Sequence, residues 1–470
     1  MIERSFQLED QIQFAELSGD FNPMHIDPVY ARRLIYGKAV VHGIHSLLWS
    51  MNEWIKQNGA SSVFIDKLTV SFNRPIGLNE RVVFHDRNDE TTAELHLLSG
   101  GMLAMKAKIE WHAGDSLSNS EIALDSTPQR IDCCNLHRDA LLGRSEQIDL
   151  MVDRNAFSSM FADCYAKMSS SQYAVILATT RIVGVHCPGL NSVFQGLSLA
   201  FSNGTATPSL TYSVSAFDKR FNLATISLEG GPVTGGIKAF YRPPIKQQRS
   251  VAELQTAVGM GEFSGQKAVV VGGSRGLGEV TAKLLAVGGA DVKITYVYGE
   301  AEAQKIVADI RGIGLHAEAF HCDVNTLFGK FSDSRHDGWM PTHIYFLATP
   351  FIFCADRGRF SPDIFDRFCR CYITGFMNCV NYFKGPSLTH ILYPSSAAVD
   401  ELPVAMGEYA AAKTAGETLC NYLEKTNPAL KILKPRIPRM DTDQTASLYS
   451  VHNNDPVPIM LDYLREMARN

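Results

Sequence analysis

Two stretches of this 470-residue chain resemble each other at a fixed separation of 130 residues, and that repeat constrains the fold more than any other feature. Leu98-Ser-Gly-Gly101 followed by MLAMKAKIEW matches Leu228-Glu-Gly-Gly231 followed by PVTGGIKAFY. Ser62-Val-Phe64 with IDKLTVSFN matches Ser192-Val-Phe194 with QGLSLAFSN once one residue is gapped. Each copy reads as strands rich in Val, Ile, Phe and Thr joined by a Gly-Gly turn, the composition an antiparallel hairpin demands. Residues 1–128 and 129–245 therefore read as two copies of one α+β unit, with chance similarity of short stretches as the competing explanation.

The stretch 246–262 (KQQRSVAELQTAVGMGE) is polar, lacks strand alternation and reads as a linker. Beyond it the pattern changes. An apolar run, KAVVV, meets a glycine-rich turn, then a helical stretch, EVTAKLLAVGG, then a second apolar run, DVKITYVY. That alternation opens a parallel α/β domain over 263–470. Three cores agree with the length at roughly 150 residues per domain.

Composition removes several classes of function. A mean hydropathy of −0.05, with 45% hydrophobic and 20% charged residues, suits a soluble globular chain. No 18-residue apolar run offers a membrane span. A net charge of −5 gives nucleic acid or anionic lipid no basic footprint. The charged N-terminus, MIERSFQLED, lacks the apolar centre of a secretory signal, so the cytoplasm is expected. Ten cysteines occur without a CxxC pair or zinc-finger histidine spacing, which predicts reduced thiols and no metal.

The segment Phe14-Ala-Glu-Leu-Ser-Gly-Asp20-Phe-Asn22-Pro23-Met-His25-Ile-Asp27 sets a carboxylate and an imidazole five residues apart around a proline turn. Proline breaks a continuous helix, so both side chains can converge from a loop and hold one water between them. Taken alone, the pair also fits a helix cap and a surface residue. The wider run FAELSGDFNPMHIDPVYA, followed by Val41-His42-Gly43 and the apolar helix IHSLLWSMNEWI, resembles the hydratase-2 motif of MaoC-like (R)-specific enoyl thioester hydratases. That resemblance implies a hotdog fold, with Asp20 and His25 activating water for syn addition across a 2-enoyl thioester or for the reverse dehydration. It also implies that the Gly43 amide, at a helix N-terminus, faces the thioester oxygen as enolate charge develops.

The second copy has no Asp-x4-His between Asp149 and Gly189. A double hotdog with one active and one degenerate half resembles fused hydratases, in which the degenerate half opens space for a longer acyl chain. A purely structural half, standing in for a second subunit, remains the alternative.

In the C-terminal domain, Val271-Gly272-Gly-Ser274-Arg275-Gly276-Leu277-Gly278 follows KAVVV and opens a helix. Glycines at 272, 276 and 278 suit a tight turn, close pyrophosphate approach and close helix packing. Tyr409-Ala-Ala-Ala-Lys413 puts a phenol and an ammonium on one helix face, where the lysine would lower the phenol pKa and ready it for proton transfer. Ser396, thirteen residues before Tyr409, could bond the same substrate oxygen.

With Cys322-Asp323-Val324, these motifs resemble the short-chain dehydrogenase/reductases over about 205 residues. The resemblance gives Asp323 an adenine contact and makes Arg275 a partner for a 2′-phosphate. The run ITYVYG has no acidic residue for a free ribose 2′-OH, so NADPH is expected over NADH. There are departures from the family pattern. Ala348-Thr349-Pro350 replaces Asn-Ala-Gly, Tyr372 stands where a fourth catalytic residue, Asn, belongs, and Pro435-Arg436 replaces Pro-Gly. The third helix region, NTLFGKFSDSRHDGWMP, is short and polar.

The two resemblances fit one reaction sequence. An NADPH-dependent 3-oxoacyl reductase would make the 3-hydroxyacyl thioester that the hotdog dehydrates, carried on CoA or an acyl carrier protein. Two other readings stay open: a hydratase/dehydratase with a catalytically weak, nucleotide-binding reductase-like domain, and a non-enzymatic carrier-docking scaffold. A homo-oligomer through the reductase domain is also expected from that family.

Overall fold

The computed structural model describes residues 2–113, 126–202, 204–326, 339–355 and 358–469. It divides into two compact units, Met1–Pro244 with Ser447–Val451, and Ile245–Ala446 with His452–Asn470.

In the first unit ten strands form one antiparallel sheet. They are β1 (Ile2–Ser5), β2 (Phe64–Phe72), β3 (Arg81–Asn88), β4 (Thr92–Ser99), β5 (Met102–His112), β6 (Ser145–Asp149), β7 (Ser192–Phe201), β8 (Ser209–Asp218), β9 (Leu223–Gly230) and β10 (Val233–Tyr241). Their order, β1-β3-β4-β5-β2-β7-β10-β9-β8-β6, is two copies of one five-stranded pattern joined at β2 and β7. At that seam Lys67 faces Ala200, Thr69 faces Ser198 and Ser71 faces Gly196. β4 buries alternate residues, as a sheet with one covered face requires. Gly100 and Gly101, at φ 59° and 78°, supply the left-handed turn into β5. β2 bulges at Asp66 against β5 and β7 bulges at Gln195 against β10, near the place where the two copies need a gap.

Each half wraps its sheet around a long helix. Gly43–Asn58 buries Leu47, Leu48 and Trp54, and ends at Gly59 in the left-handed conformation. Ser170–Arg181 is buried from Ser171 to Arg181 and runs into a π-helical turn, Ile182–His186. A helix covered on all faces belongs at the centre of its domain. The first unit is a double hotdog.

The second unit is a doubly wound parallel sheet. Its strands are β11 (Lys267–Val271), β12 (Asp291–Tyr296), β13 (Ala317–His321), β14 (His343–Phe346), β15 (His390–Leu392) and, beyond the short β16 (Ser395–Ser396), β17 (Lys431–Leu433). The order β13-β12-β11-β14-β15-β17 reverses direction between β11 and β14, where such sheets bind ligands. β16 pairs in parallel with β18 (Arg436–Ile437), outside the main sheet.

The stretch read as a linker is packed. Ser250 and Glu253 form a capping box on the turn Val251–Leu254, and Val251 and Leu254 are fully buried in the core of the second unit. Two apolar residues on one turn give too short a periodicity to stand out in a polar sequence. The third helix region falls across 327–338, outside the described residues. All ten cysteines are free. Among the described residues no helix is long and apolar enough to cross a membrane.

Candidate active sites

The first site is built on the loop after the helix Leu8–Ser18, which ends at Gly19 in the left-handed conformation (φ 76°). Asn22 caps the next short helix, Pro23–Ile26, its Oδ1 accepting from the Met24 amide at 3.1 Å. This turn brings Asp20 and His25 together. A carboxylate oxygen of Asp20 and ring nitrogens of His25 and His42 lie within 4.8 Å of one another, and all three residues are buried.

Asp20 accepts from the Asn22 amide through Oδ1 at 3.2 Å and from the Thr180 hydroxyl through Oδ2 at 2.6 Å. Burial nevertheless dominates and pushes its carboxyl up to about 6, with the two hydrogen bonds acting in the opposite direction. His25 Nδ1 lies 2.7 Å from the Val40 carbonyl, which can only accept, so Nδ1 carries the proton and Nε2 is left as an acceptor. Burial pulls this imidazole down to about 4, aided by the nearby Arg242 charge and opposed by the Val40 bond. At neutral pH the pair is a carboxylate beside a neutral imidazole, an arrangement able to orient a water and take one of its protons.

His42 stacks on His25, with ring centroids 3.8 Å apart, and is itself held by Gln11 and the Asp20 carbonyl. Gly43 begins the central helix, where the first N–H groups have no intrahelical acceptor. A Cβ on Gly43 would come within 3.0 Å of the Phe72 ring. Beside the loop runs a groove of about 680 Å³ lined by Phe21, Pro23, Asp27, Arg130, Cys133 and Leu190 among others.

Sequence reasoning missed the part played by the second half. Thr180 donates to the Asp20 carboxylate, Gly184 leaves free the space that carboxylate occupies, and Asn22 Nδ2 donates to the Gly184 carbonyl at 3.0 Å. An isolated glycine within an apolar helical run was the available signal.

The second site lies at the carboxyl end of β11. Gly272 has φ 79°, and a Cβ there would sit 2.7 Å from the Ala348 backbone; one on Gly278 would sit 2.1 Å from the Gly272 carbonyl. Gly276 (φ 56°) and Leu277 open the helix Gly276–Val287, with Arg275 at its N-cap. Ser274 is buried in the turn between strand and helix. This backbone cradle, closed to any side chain at 272 and 278, fits a dinucleotide diphosphate at a helix N-terminus. Asp323 follows β13, and its Oδ1 accepts from the Asn325 amide at 2.9 Å.

Ser396, on β16, bonds the Tyr409 hydroxyl and accepts from the Ala398 amide at 3.2 Å. Tyr409 and Lys413 share the helix Gly407–Thr426. The expected lowering of the phenol by the lysine is not what the geometry gives. Burial raises Tyr409 above its usual value, with the Ser396 bond as the opposing influence. Lys413 Nζ instead donates to the Pro394 carbonyl at 2.7 Å and sits 3.8 Å above the Tyr372 ring, against 5.9 Å to that of Tyr409. Burial also pulls the lysine down to about 8, which weakens any effect of its charge. Tyr372 lies on a π-helical turn, Arg370–Gly375, and its hydroxyl is 2.6 Å from Thr349 Oγ1.

Residues 2–90 match the MaoC like domain, and residues 266–336 match the short chain dehydrogenase family. The chain carries both a MaoC-like domain and a short-chain dehydrogenase domain. Among curated proteins, the MaoC-like part is 29% identical over 99 residues to the (R)-specific enoyl-CoA hydratase of Aeromonas caviae, covering 20% of this chain and 65% of that protein. It is 28% identical over 83 residues to the 3-hydroxybutyryl-CoA dehydratase of Methylorubrum extorquens, covering 17% of this chain and 52% of that one. The dehydrogenase part is 28% identical over 108 residues to the L-rhamnose 1-dehydrogenase (NADP(+)) of Thermoplasma acidophilum, covering 23% and 42%. The chain thus spans less than two thirds of each relative.

Proposed function

We propose that the chain is a bifunctional acyl-thioester enzyme. Its short-chain dehydrogenase domain reduces a 3-oxoacyl thioester with NADPH, and its MaoC-like domain interconverts the (R)-3-hydroxyacyl and 2-enoyl thioesters. The observation that carries this reading is the convergence of Asp20 and His25 in a buried site, within 4.8 Å of each other, in a chain that also carries Ser396, Tyr409 and Lys413. The two sites share one intermediate, the 3-hydroxyacyl thioester.

In the hydration direction, Asp20 and His25 Nε2 hold the water. Asp20 takes a proton as the water oxygen bonds C3 of the enoyl group, and the electron pair moves to the thioester oxygen facing the Gly43 amide. The enolate then collapses, and C2 takes a proton from the Asp20 carboxyl, which returns the site to its starting state. Dehydration is the reverse. The groove beside the loop offers the CoA or carrier-protein arm a path.

In the reductase domain a bound nicotinamide supplies hydride. Gly272, Gly276 and Gly278 would leave room for the diphosphate, Asp323 would contact the adenine, and Arg275 would favour a 2′-phosphate and so NADPH over NADH. Tyr409 gives its proton to the carbonyl oxygen that Ser396 orients. Expected site residues are therefore Asp20, His25 and Gly43 in one domain and Ser396, Tyr409 and Lys413 in the other.

Acetoacetyl thioester incubated with NADPH tests the reading. Nicotinamide oxidation should come first and enoyl absorbance second; absence of both would overturn it. The seating of Lys413 on the Tyr372 ring favours a second reading, a hydratase with a weak reductase domain. That reading predicts hydration of crotonyl thioester without NADPH oxidation.

A further inference from the structure

The half of the double hotdog that lacks Asp-x4-His makes direct contact with the carboxylate of the half that has it. Thr180, 3% exposed and near the end of the second central helix, donates to Asp20 Oδ2 at 2.6 Å. One turn later the helix widens into the π turn, with the Cys187 amide bonding the Ile182 carbonyl five residues back. That wider turn presents Gly184, where an added Cβ would fall 2.2 and 2.4 Å from the two Asp20 oxygens. Asn22 Nδ2 reaches the Gly184 carbonyl at 3.0 Å and the Gly189 carbonyl at 3.3 Å, which ties down the loop between Asp20 and His25. Only a glycine lets the carboxylate sit here, and π turns recur where a helix is adapted to a site.

We propose that Thr180 is a positioning residue of the hydratase site, and that the second half, through Thr180 and the π turn at Gly184, sets the rotamer and charge of Asp20. The inference rests on the hydratase reading of the first half. It goes beyond a second half that merely fills space, because it assigns that half a hydrogen bond to the reacting group. The titratable and charged groups around Asp20 are His25 and His42 of its own half, Cys133, and Arg181, whose Cδ lies 3.1 Å from a Cβ built on Gly19. Thr180 supplies a hydrogen bond that favours the carboxylate over the acid, so its loss should raise the pH at which Asp20 ionises.

Thr180→Val keeps the shape and removes the donor, Thr180→Ser keeps the donor, and Gly184→Ala pushes on the carboxylate directly. In hydration of crotonyl thioester followed across pH, Thr180→Val should lower kcat about tenfold, leave KM within about twofold, and move the acid limb up by about one pH unit. Thr180→Ser should restore both, and Gly184→Ala should lower kcat at least as far. An unchanged kcat and acid limb in Thr180→Val would overturn the inference. A second readout needs no turnover: in protein labelled with carboxyl-13C aspartate, the Asp20 signal, assigned by its loss in Asp20→Asn, should titrate higher in Thr180→Val than in wild type. An unmoved titration sinks the role of Thr180 alone. A moved titration without any hydration in wild type sinks the hydratase reading and leaves the contact standing.

Discussion

Both candidate sites lie against a helix interrupted by a π turn, and the two turns serve their sites in opposite ways. In the double hotdog the turn at Gly184 carries no side chain there, and Thr180 just before it donates to Asp20. The carboxylate proposed to react is therefore held by a hydrogen bond that favours its charged form, while burial raises its pKa to about 6. In the dehydrogenase domain the turn Arg370–Gly375 adds a side chain, Tyr372, whose ring takes the ammonium of Lys413. A residue expected to assist Tyr409 is thus engaged elsewhere. The same backbone irregularity can perfect one site and divert another, depending on the side chain at its centre.

The largest effects expected are those that separate the two sites. Asp20→Asn should reduce crotonyl thioester hydration by about 10³-fold and leave NADPH oxidation unchanged, because proton removal by a placed base contributes on that scale. Tyr409→Phe should do the reverse, lowering reduction of acetoacetyl thioester by about 10²-fold while hydration continues. Parallel rate measurements on both variants check the separation. Equal losses in either variant would mean that the domains do not work independently.

A smaller effect is expected on stability, where the two residues of the first site pull in opposite directions. Asp20 is raised from 3.8 to about 6, so between those values the folded chain keeps a proton that the unfolded chain has lost, and stability falls as pH rises. His25 is lowered from 6.5 to about 4, so between those values the unfolded chain binds the extra proton, and stability falls as pH drops. The two slopes largely cancel across the shared interval. Asp20→Asn removes only the first, and should gain about 3 kcal/mol at pH 7 relative to its effect at pH 3.5. Thermal unfolding at the two pH values measures this, and equal shifts in Tm would refute a buried, raised carboxylate.

What was legible in the sequence follows the range of each interaction. Asp20 and His25 lie five residues apart on one turn, and the glycines from 272 to 278 share one strand-to-helix turn, so their coming together could be read locally. The repeat was legible because the strand pattern recurs at each end of the β2–β7 seam. Thr180 was not, since a threonine in an apolar helix gives no sign of an aspartate 160 residues away. The direction of Lys413 was also hidden: spacing along a helix fixes which face a side chain occupies, but the Pro394 carbonyl and the Tyr372 ring determine where its ammonium ends. The burial of Val251 and Leu254, within the stretch expected to be a linker, was hidden for a related reason, because burial of a single turn depends on the surface it meets. Leu254→Ala should therefore destabilise the second unit by about 2 kcal/mol, which denaturant unfolding would detect and a linker would not show.

The smallest effect expected tests the diversion of Lys413 directly. An aromatic face favours the ammonium over the neutral amine by about 1 kcal/mol. Burial already holds this lysine down at about 8, so its charge is lost just above neutral pH. Replacing Tyr372 by Leu removes the ring, makes the ammonium harder to keep, and should move the alkaline limb of the reduction rate downward by somewhat under one pH unit. Tyr372→Phe keeps the ring and loses only the contact with Thr349, so its limb should stay where it is. A shift in both variants would assign the effect to the hydroxyl and its contact with Thr349. A shift confined to Tyr372→Leu would mean that the ring, standing on a π turn, sets how long Lys413 keeps its charge.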